Sequence, residues 1–189
     1  MSDHDEACRD TPELPSGWVP GEGCRLGAML VGEAPGAEEW KQKRPFVGPS
    51  GQFLEAGLEA VGIHREDMYI TNTVKIWPRT DAGRTRRPNR KEIEAALPYL
   101  NKEVQHQAPK CVLALGNVAH RTLTGSHLGI TRSREMSWHS LAATFEHEAK
   151  VLPTFHPSYI RSWGSKNREL WFEDLIEFAT RWLKDRSRA

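Results

Sequence analysis

The segment Phe155-His156-Pro157-Ser158-Tyr159 places an imidazole directly after an apolar run and directly before a proline. A histidine in that position is a core side chain with a satisfied ring, a metal ligand, or half of a reactive site. Metal ligation lacks support, because the histidines form no HxH or HExxH pattern and the cysteines no CxxC pair. At a strand end the ring can instead donate a hydrogen bond to an oxygen that is gaining negative charge. A carboxylate is the natural counterpart, and Glu33 in Gly32-Glu33-Ala34-Pro35-Gly36 also follows an apolar run. It either caps N–H groups of its own turn or positions water and stabilises a cation. The two glycines let a ligand approach the backbone closely. A carboxylate facing a histidine suits cleavage of a bond that leaves a cation on one side and an anion on the other. N-glycosidic hydrolysis is such a reaction.

Three further residues fit that chemistry, each with a plain structural alternative. Asn72 offers a donor and an acceptor together, which reading the edge of a pyrimidine requires, or it is a turn or cap residue. Phe46, on the proline-bounded loop Arg44-Pro45-Phe46-Val47-Gly48, either stacks on a base or sits in the core. Ser50, at a helix start with Gly51, either holds a phosphate or is an ordinary N-cap.

Elements that could position these residues are visible in the hydrophobic pattern. Four short apolar runs end in polar or turn residues, at 28–31, 68–71, 111–115 and 151–155. Their length and bounds suit buried parallel strands. Helical patterns alternate with them: 50–62, with Phe53, Leu54, Leu58 and Val61 on one stripe; 89–104, with Asn89 as N-cap and a kink at Pro98; and 117–125. In the last, 167–183, the stripe of Phe172, Leu175, Ile176, Ala179 and Leu183 is expected to pack inward. A small hairpin is expected over 134–147. The alternation argues for one three-layer α/β domain over 19–189, preceded by an irregular tail over 1–18. Glu33, Asn72, the Leu115-Gly116-Asn117 turn and His156 would then meet at the carboxyl ends of the strands, where open parallel sheets bind ligands.

The chain has 189 residues, 27% of them charged, and a net charge of +1, so no global excess points to nucleic acid. Charge is nonetheless segregated. Residues 1–24 hold six acids against one arginine, whereas 79–91 hold six bases, including Arg84, Arg86, Arg87 and Arg90, against Asp81. That basic run is a solvated loop or a phosphate-binding one. Cys8, Cys24 and Cys111 cannot all pair, Cys111 reads as a small buried hydrophobe, and a reduced, cytoplasmic setting is expected. No apolar stretch approaches the ~20 residues of a membrane span, and no signal peptide is expected.

With these residues placed, the chain resembles the uracil-DNA glycosylase superfamily, and most closely its family-four branch. The segments VGEAPGAEE, RPFVG, YITNTVK, LALGNVA and FHPSYI occur in that family's order and approximate spacing, between about Val19 and Arg161. The resemblance implies a three-layer α/β/α sandwich around a central four-stranded parallel sheet. It also implies repair of deaminated cytosine by hydrolysis of uracil from single- or double-stranded DNA. It places Glu33 at the water-side carboxylate, Phe46 at the base-stacking ring, Asn72 at the uracil-reading amide and His156 at the histidine that stabilises the leaving anion. Gly32, Ala34, Pro35 and Gly36 would line the uracil site. Ser50, Lys75, Arg84, Arg86, Arg87, Ser158, Tyr159 and Arg161 would contact DNA. The protein is expected to act as a monomer. The alternatives are a module that holds uracil-containing or abasic DNA with slow turnover, and hydrolysis of a free nucleoside or nucleotide.

Departures from the family pattern matter as much. Family-four members hold an iron–sulfur cluster on four cysteines, yet this chain has Ile76 and Ala96 at two of those positions and lacks the N-terminal CxxC. No cluster, metal or other cofactor is therefore expected. The catalytic Asp of classical members falls at Ala34, their thymine-excluding Tyr at Gly36, and Trp40 replaces a usual acid. A related branch that captures DNA covalently uses a loop histidine. The loop over 79–90 has none, so covalent capture is not expected.

Overall fold

The computed structural model describes residues 13–23, 27–162 and 165–187. Most of the acidic lead-in, with Cys8 and Cys24, lies outside the described residues.

Five strands form one sheet: β1 (Ala28–Gly32), β2 (Tyr69–Asn72), β3 (Cys111–Leu115), β4 (His139–Ser140) and β5 (Lys150–Thr154), in the spatial order β2-β1-β3-β5-β4. The four apolar runs are the parallel strands, which accounts for the four-stranded expectation. The fifth, β4, is a two-residue strand antiparallel to β5, and it takes the place of the expected hairpin over 134–147. Two residues leave no periodicity to read.

Eight residues of these strands point alternately to two apolar cores. Leu30, Ile70, Leu113 and Leu152 face one layer, and Met29, Tyr69, Val112 and Val151 face the other. Burial on both faces explains why the strands read as unbroken apolar runs. The first layer holds α2 (Pro49–Glu59) and the long α7 (Ser165–Arg186). The second holds α3 (Arg90–Gln107) and α4 (Gly116–Thr124). Short helices α1 (Ala37–Gln42), α5 (Ile130–Glu135) and α6 (Pro157–Ser162) complete the chain.

Asn89 caps α3, accepting from Glu92 N at 3.0 Å, while the Glu92 carboxylate accepts from Asn89 N at 2.8 Å. Pro98 lies inside this helix without ending it. On α7 the buried face is Trp171, Asp174, Leu175, Phe178, Ala179 and Trp182. Phe172, Ile176 and Leu183, expected to pack inward, are exposed at 36%, 48% and 54%. The pattern is displaced because a charged residue, Asp174, belongs to the inner face. It is paired there with Arg134 and accepts from Thr154.

Candidate functional site

The register of β1 and β2 sets Gly32 beside Asn72. A β-carbon on Gly32 would collide with Asn72 Oδ1 and with the tip of the Phe46 ring, so glycine is what lets these two side chains converge. Just past β2, Thr73 N and Oγ1 both donate to Gly32 O, and Val74 N donates to Glu33 O at 3.0 Å. These bonds fix the backbone from which Glu33 projects.

Asn72 is 4% exposed, yet among the described residues no protein group bonds its side-chain amide. A buried amide without partners is costly unless it faces something that satisfies it. The carboxylate of Glu33 likewise accepts no hydrogen bond there, so the turn-capping alternative finds no donor. Burial pushes the Glu33 carboxyl up, and the positive charge of Arg87 pulls it back.

Phe46 is a buried residue with a left-handed backbone, φ 53°. Such a conformation costs about 1–3 kcal/mol and persists only where its surroundings enforce it. Here Arg65 Nη1 donates to Phe46 O at 3.2 Å, and that carbonyl packs where only a glycine, Gly51, leaves room. Arg65 is itself held by Glu22, whose strand-like bridge to Ile70 ties the chain's N-terminal side to β2.

His156 follows β5, and Gly116, at φ +85°, passes so close that a β-carbon there would lie 3.1 Å from His156 Cβ. His156 Nδ1 accepts from Ser158 N at 3.2 Å and lies 2.8 Å from Ser158 Oγ. A nitrogen that accepts a backbone N–H carries no proton. The neutral ring is therefore protonated on Nε2, a donor on its far side. Burial lowers the imidazole to about 4, and Arg87 adds to the effect, so the ring is neutral at pH 7.

These groups share one cavity of about 560 Å³. Glu33, Ala34, Pro35 and Gly36 form one wall, and Phe46, Ser50, Asn72 and His156 lie around it. Ser158 and Tyr159 border it beyond the histidine, the Tyr159 ring stacking on Phe155 at 5.5 Å. Arg86 and Arg87 border it from the basic segment. Ser50 is the second residue of α2, two residues past the N-cap, which is Gly48 and not Ser50.

Not every residue expected to touch a ligand is brought there. Lys75, expected to contact DNA, is instead fully buried, its ammonium 2.5 Å from Glu103 Oε2 and 2.6 Å from both Thr71 Oγ1 and Asn72 O. No phosphate can reach it. Arg86 spends its guanidinium on Glu92, bidentate at 2.8 and 2.7 Å, and on the carbonyls of Arg79 and Arg87. Arg84 and Arg161 are exposed but lie outside the cavity lining. Glu39, not singled out from sequence, accepts from Gly36 N at 3.1 Å and Gly48 N at 2.8 Å. It thereby joins the two loops that carry Glu33 and Phe46. Its spacing of three from Gly36 is the signal that could have found it.

The residues present do not fit an iron–sulfur cluster. Partly buried Ile76 and buried Ala96 offer no thiolate, and Trp18 packs edge-on against Tyr99 at 5.0 Å in the same neighbourhood. Cys111 is buried within β3, its thiol pushed up to about 12. Among the described residues no group of three or more His, Cys, Asp or Glu could hold a metal ion, and no helix is long and apolar enough to cross a membrane.

Residues 20–179 match the sequence profile of the uracil DNA glycosylase superfamily. The type-4 uracil-DNA glycosylase of Pyrobaculum aerophilum is 47% identical over 106 residues, covering 56% of this chain and 52% of that protein. That of Sulfurisphaera tokodaii is 37% identical over 74% of this chain and 64% of its own length. That of Thermotoga maritima is 37% identical over 82% of this chain and 77% of its own. The chain thus spans about half to two thirds of the first two relatives.

Proposed function

Because the chain belongs to the uracil DNA glycosylase superfamily, we propose that it hydrolyses the N-glycosidic bond of uracil in DNA and leaves an abasic site. One observation carries the reading. A carboxylate and a buried amide, neither hydrogen-bonded by another side chain or backbone group among the described residues, share a cavity with a strained aromatic and a neutral histidine.

Uracil must leave the stack to enter such a cavity, at a cost of a few kcal/mol. Phe46 stacks on the flipped ring. Asn72 meets N3–H with its oxygen and O4 with its nitrogen. Cytosine presents the opposite pair, and a mismatch of buried polar groups can discriminate by roughly 10⁴-fold or more. As the bond breaks, the sugar becomes an oxocarbenium ion and the electron pair passes to the base. Glu33 stabilises that cation and orients the attacking water, and His156 Nε2–H donates to the uracil oxygen that takes up the charge. The water's oxygen bonds to the sugar carbon, and its proton leaves toward the carboxylate or solvent. Because His156 enters the reaction neutral, it acts as a hydrogen-bond donor and no second proton is needed.

Ser50, Arg84, Ser158, Tyr159 and Arg161 hold the strand on either side. The reading takes residues 19–189 as one domain, acting as a monomer in the cytoplasm on single- or double-stranded DNA. A uracil-containing oligonucleotide in excess over protein tests it. Free uracil released over many turnovers is the expected result. Release that stops at one equivalent, with a persistent complex, would make the chain a binding module instead.

A further inference from the structure

We propose that Arg87 belongs to the reacting pocket rather than to the general DNA-contact surface. Its guanidinium, carried on a braced backbone, balances Glu33 and takes up negative charge from the departing base. The inference rests on the glycosylase reading and adds a residue to its chemistry.

Residues 77–89 form a braced arm. Thr80 and Arg84 pair through their backbones at 2.9 Å, Arg79 bridges to Thr85, and Arg86 N donates to Pro78 O at 3.1 Å. Trp77 Nε1 donates to Thr85 Oγ1 at 2.9 Å, so the arm is pinned to the chain that leaves β2. Glu92 serves twice, closing the cap of α3 and holding Arg86 by two bonds. Arg86 in turn donates to Arg87 O at 3.0 Å. The Arg87 backbone is therefore fixed from the arm on one side and, through Pro88 and Asn89, from α3 on the other.

Its side chain is different. Among the described residues nothing bonds the Arg87 guanidinium, although it borders the cavity with Glu33 and His156. The other charged groups there are already committed or exposed. Glu39 holds two backbone N–H groups, Arg86 is paired with Glu92, and Glu38 is exposed in the first turn of α1. Among the described residues that line the cavity, Arg87, itself exposed, is thus the cation left to act on the reacting groups. It opposes the upward push of burial on the Glu33 carboxyl and reinforces the neutrality of His156. A charge placed in advance beside a developing anion needs no reorganisation when the bond breaks.

Arg87→Ala and Arg87→Lys test the assignment with two readouts. The first is single-turnover base release at saturating DNA. Arg87→Ala is expected to lose about 10- to 100-fold, less than the 10²–10³ of a fully enclosed donor because water reaches this residue. Arg87→Lys should recover part of the loss, and the acidic limb of the Arg87→Ala profile should move to higher pH as Glu33 loses its counter-charge. The second is the NMR titration of the His156 ring in free protein, whose midpoint should rise from near 4 in Arg87→Ala. An unmoved midpoint, or an unchanged saturating rate with only weaker binding, would overturn the proposal and leave Arg87 as a phosphate contact. If the wild-type chain released no uracil, the glycosylase reading would fail. The titration alone would then decide whether Arg87 faces His156.

Discussion

Replacing Lys75 with Met removes one half of a charge pair that water does not reach: Lys75 is 0% and Glu103 1% exposed. Met fills much of the same volume, so the change is one of charge more than of packing. Glu103 would keep the Tyr69 hydroxyl at 3.1 Å and Thr71 Oγ1 at 3.1 and 3.2 Å but lose the one cation paired with it among the described residues. Stranding one charge of a buried pair costs about 3–5 kcal/mol. For a chain of this size each kcal/mol moves Tm by roughly 2–4 °C, so a fall of about 6–20 °C is expected. Urea unfolding at pH 7 measures the loss directly, as a lower midpoint at unchanged slope. Lys75→Met with Glu103→Gln should recover at least half of the loss, because the two hydroxyls keep an oxygen to donate to. Lys75 also donates to Asn72 O, so base release should slow even in the fully folded single variant. A loss below about 1 kcal/mol would refute the pair as an anchor of β2.

His120 is fully buried, its Nδ1 lacks a partner, and burial with His139 beside it lowers the ring to about 4. Its unfolded value is higher, so stability present above pH 6.5 is lost as pH falls toward 4, by roughly 3 kcal/mol from this residue. The unfolding midpoint should fall from pH 7 to pH 5 in both proteins, but by clearly less in His120→Phe, where only the His156 ring keeps the same dependence. An equal fall in both would refute the assignment. Asn72→Asp should lower the uracil-over-cytosine ratio of single-turnover rates, since the carboxylate keeps the acceptor and loses the donor to O4. An unchanged ratio would make Asn72 structural. Arg84→Ala should reduce the slope of log K against log salt by about 0.9 on duplex or 0.7 on single strands. An unchanged slope would return Arg84 to the solvated surface.

The parallel strands and the meeting of Glu33, Asn72 and His156 were readable because each apolar run is buried on both faces and ends in a polar residue at the same rim. The cap of α3 was readable because Asn89 and Glu92 are three residues apart. What stayed hidden depends on partners distant in sequence. Lys75 looked like a surface base because Glu103, 28 residues away, is what takes it inside. Arg86 looked equivalent to Arg87 until Glu92 claimed it. The face of α7 was misplaced because Asp174 is buried through Arg134 and Thr154, which no helical periodicity announces.

The central claim is that His156 acts as a neutral donor to the departing base from a cavity that Glu33 shares. Single-turnover release of uracil by His156→Ala, with the affinity for uracil-containing DNA measured separately, tests it most directly. The account predicts a rate about 10²–10³-fold below wild type at nearly unchanged affinity. A rate close to wild type at saturating DNA would contradict it.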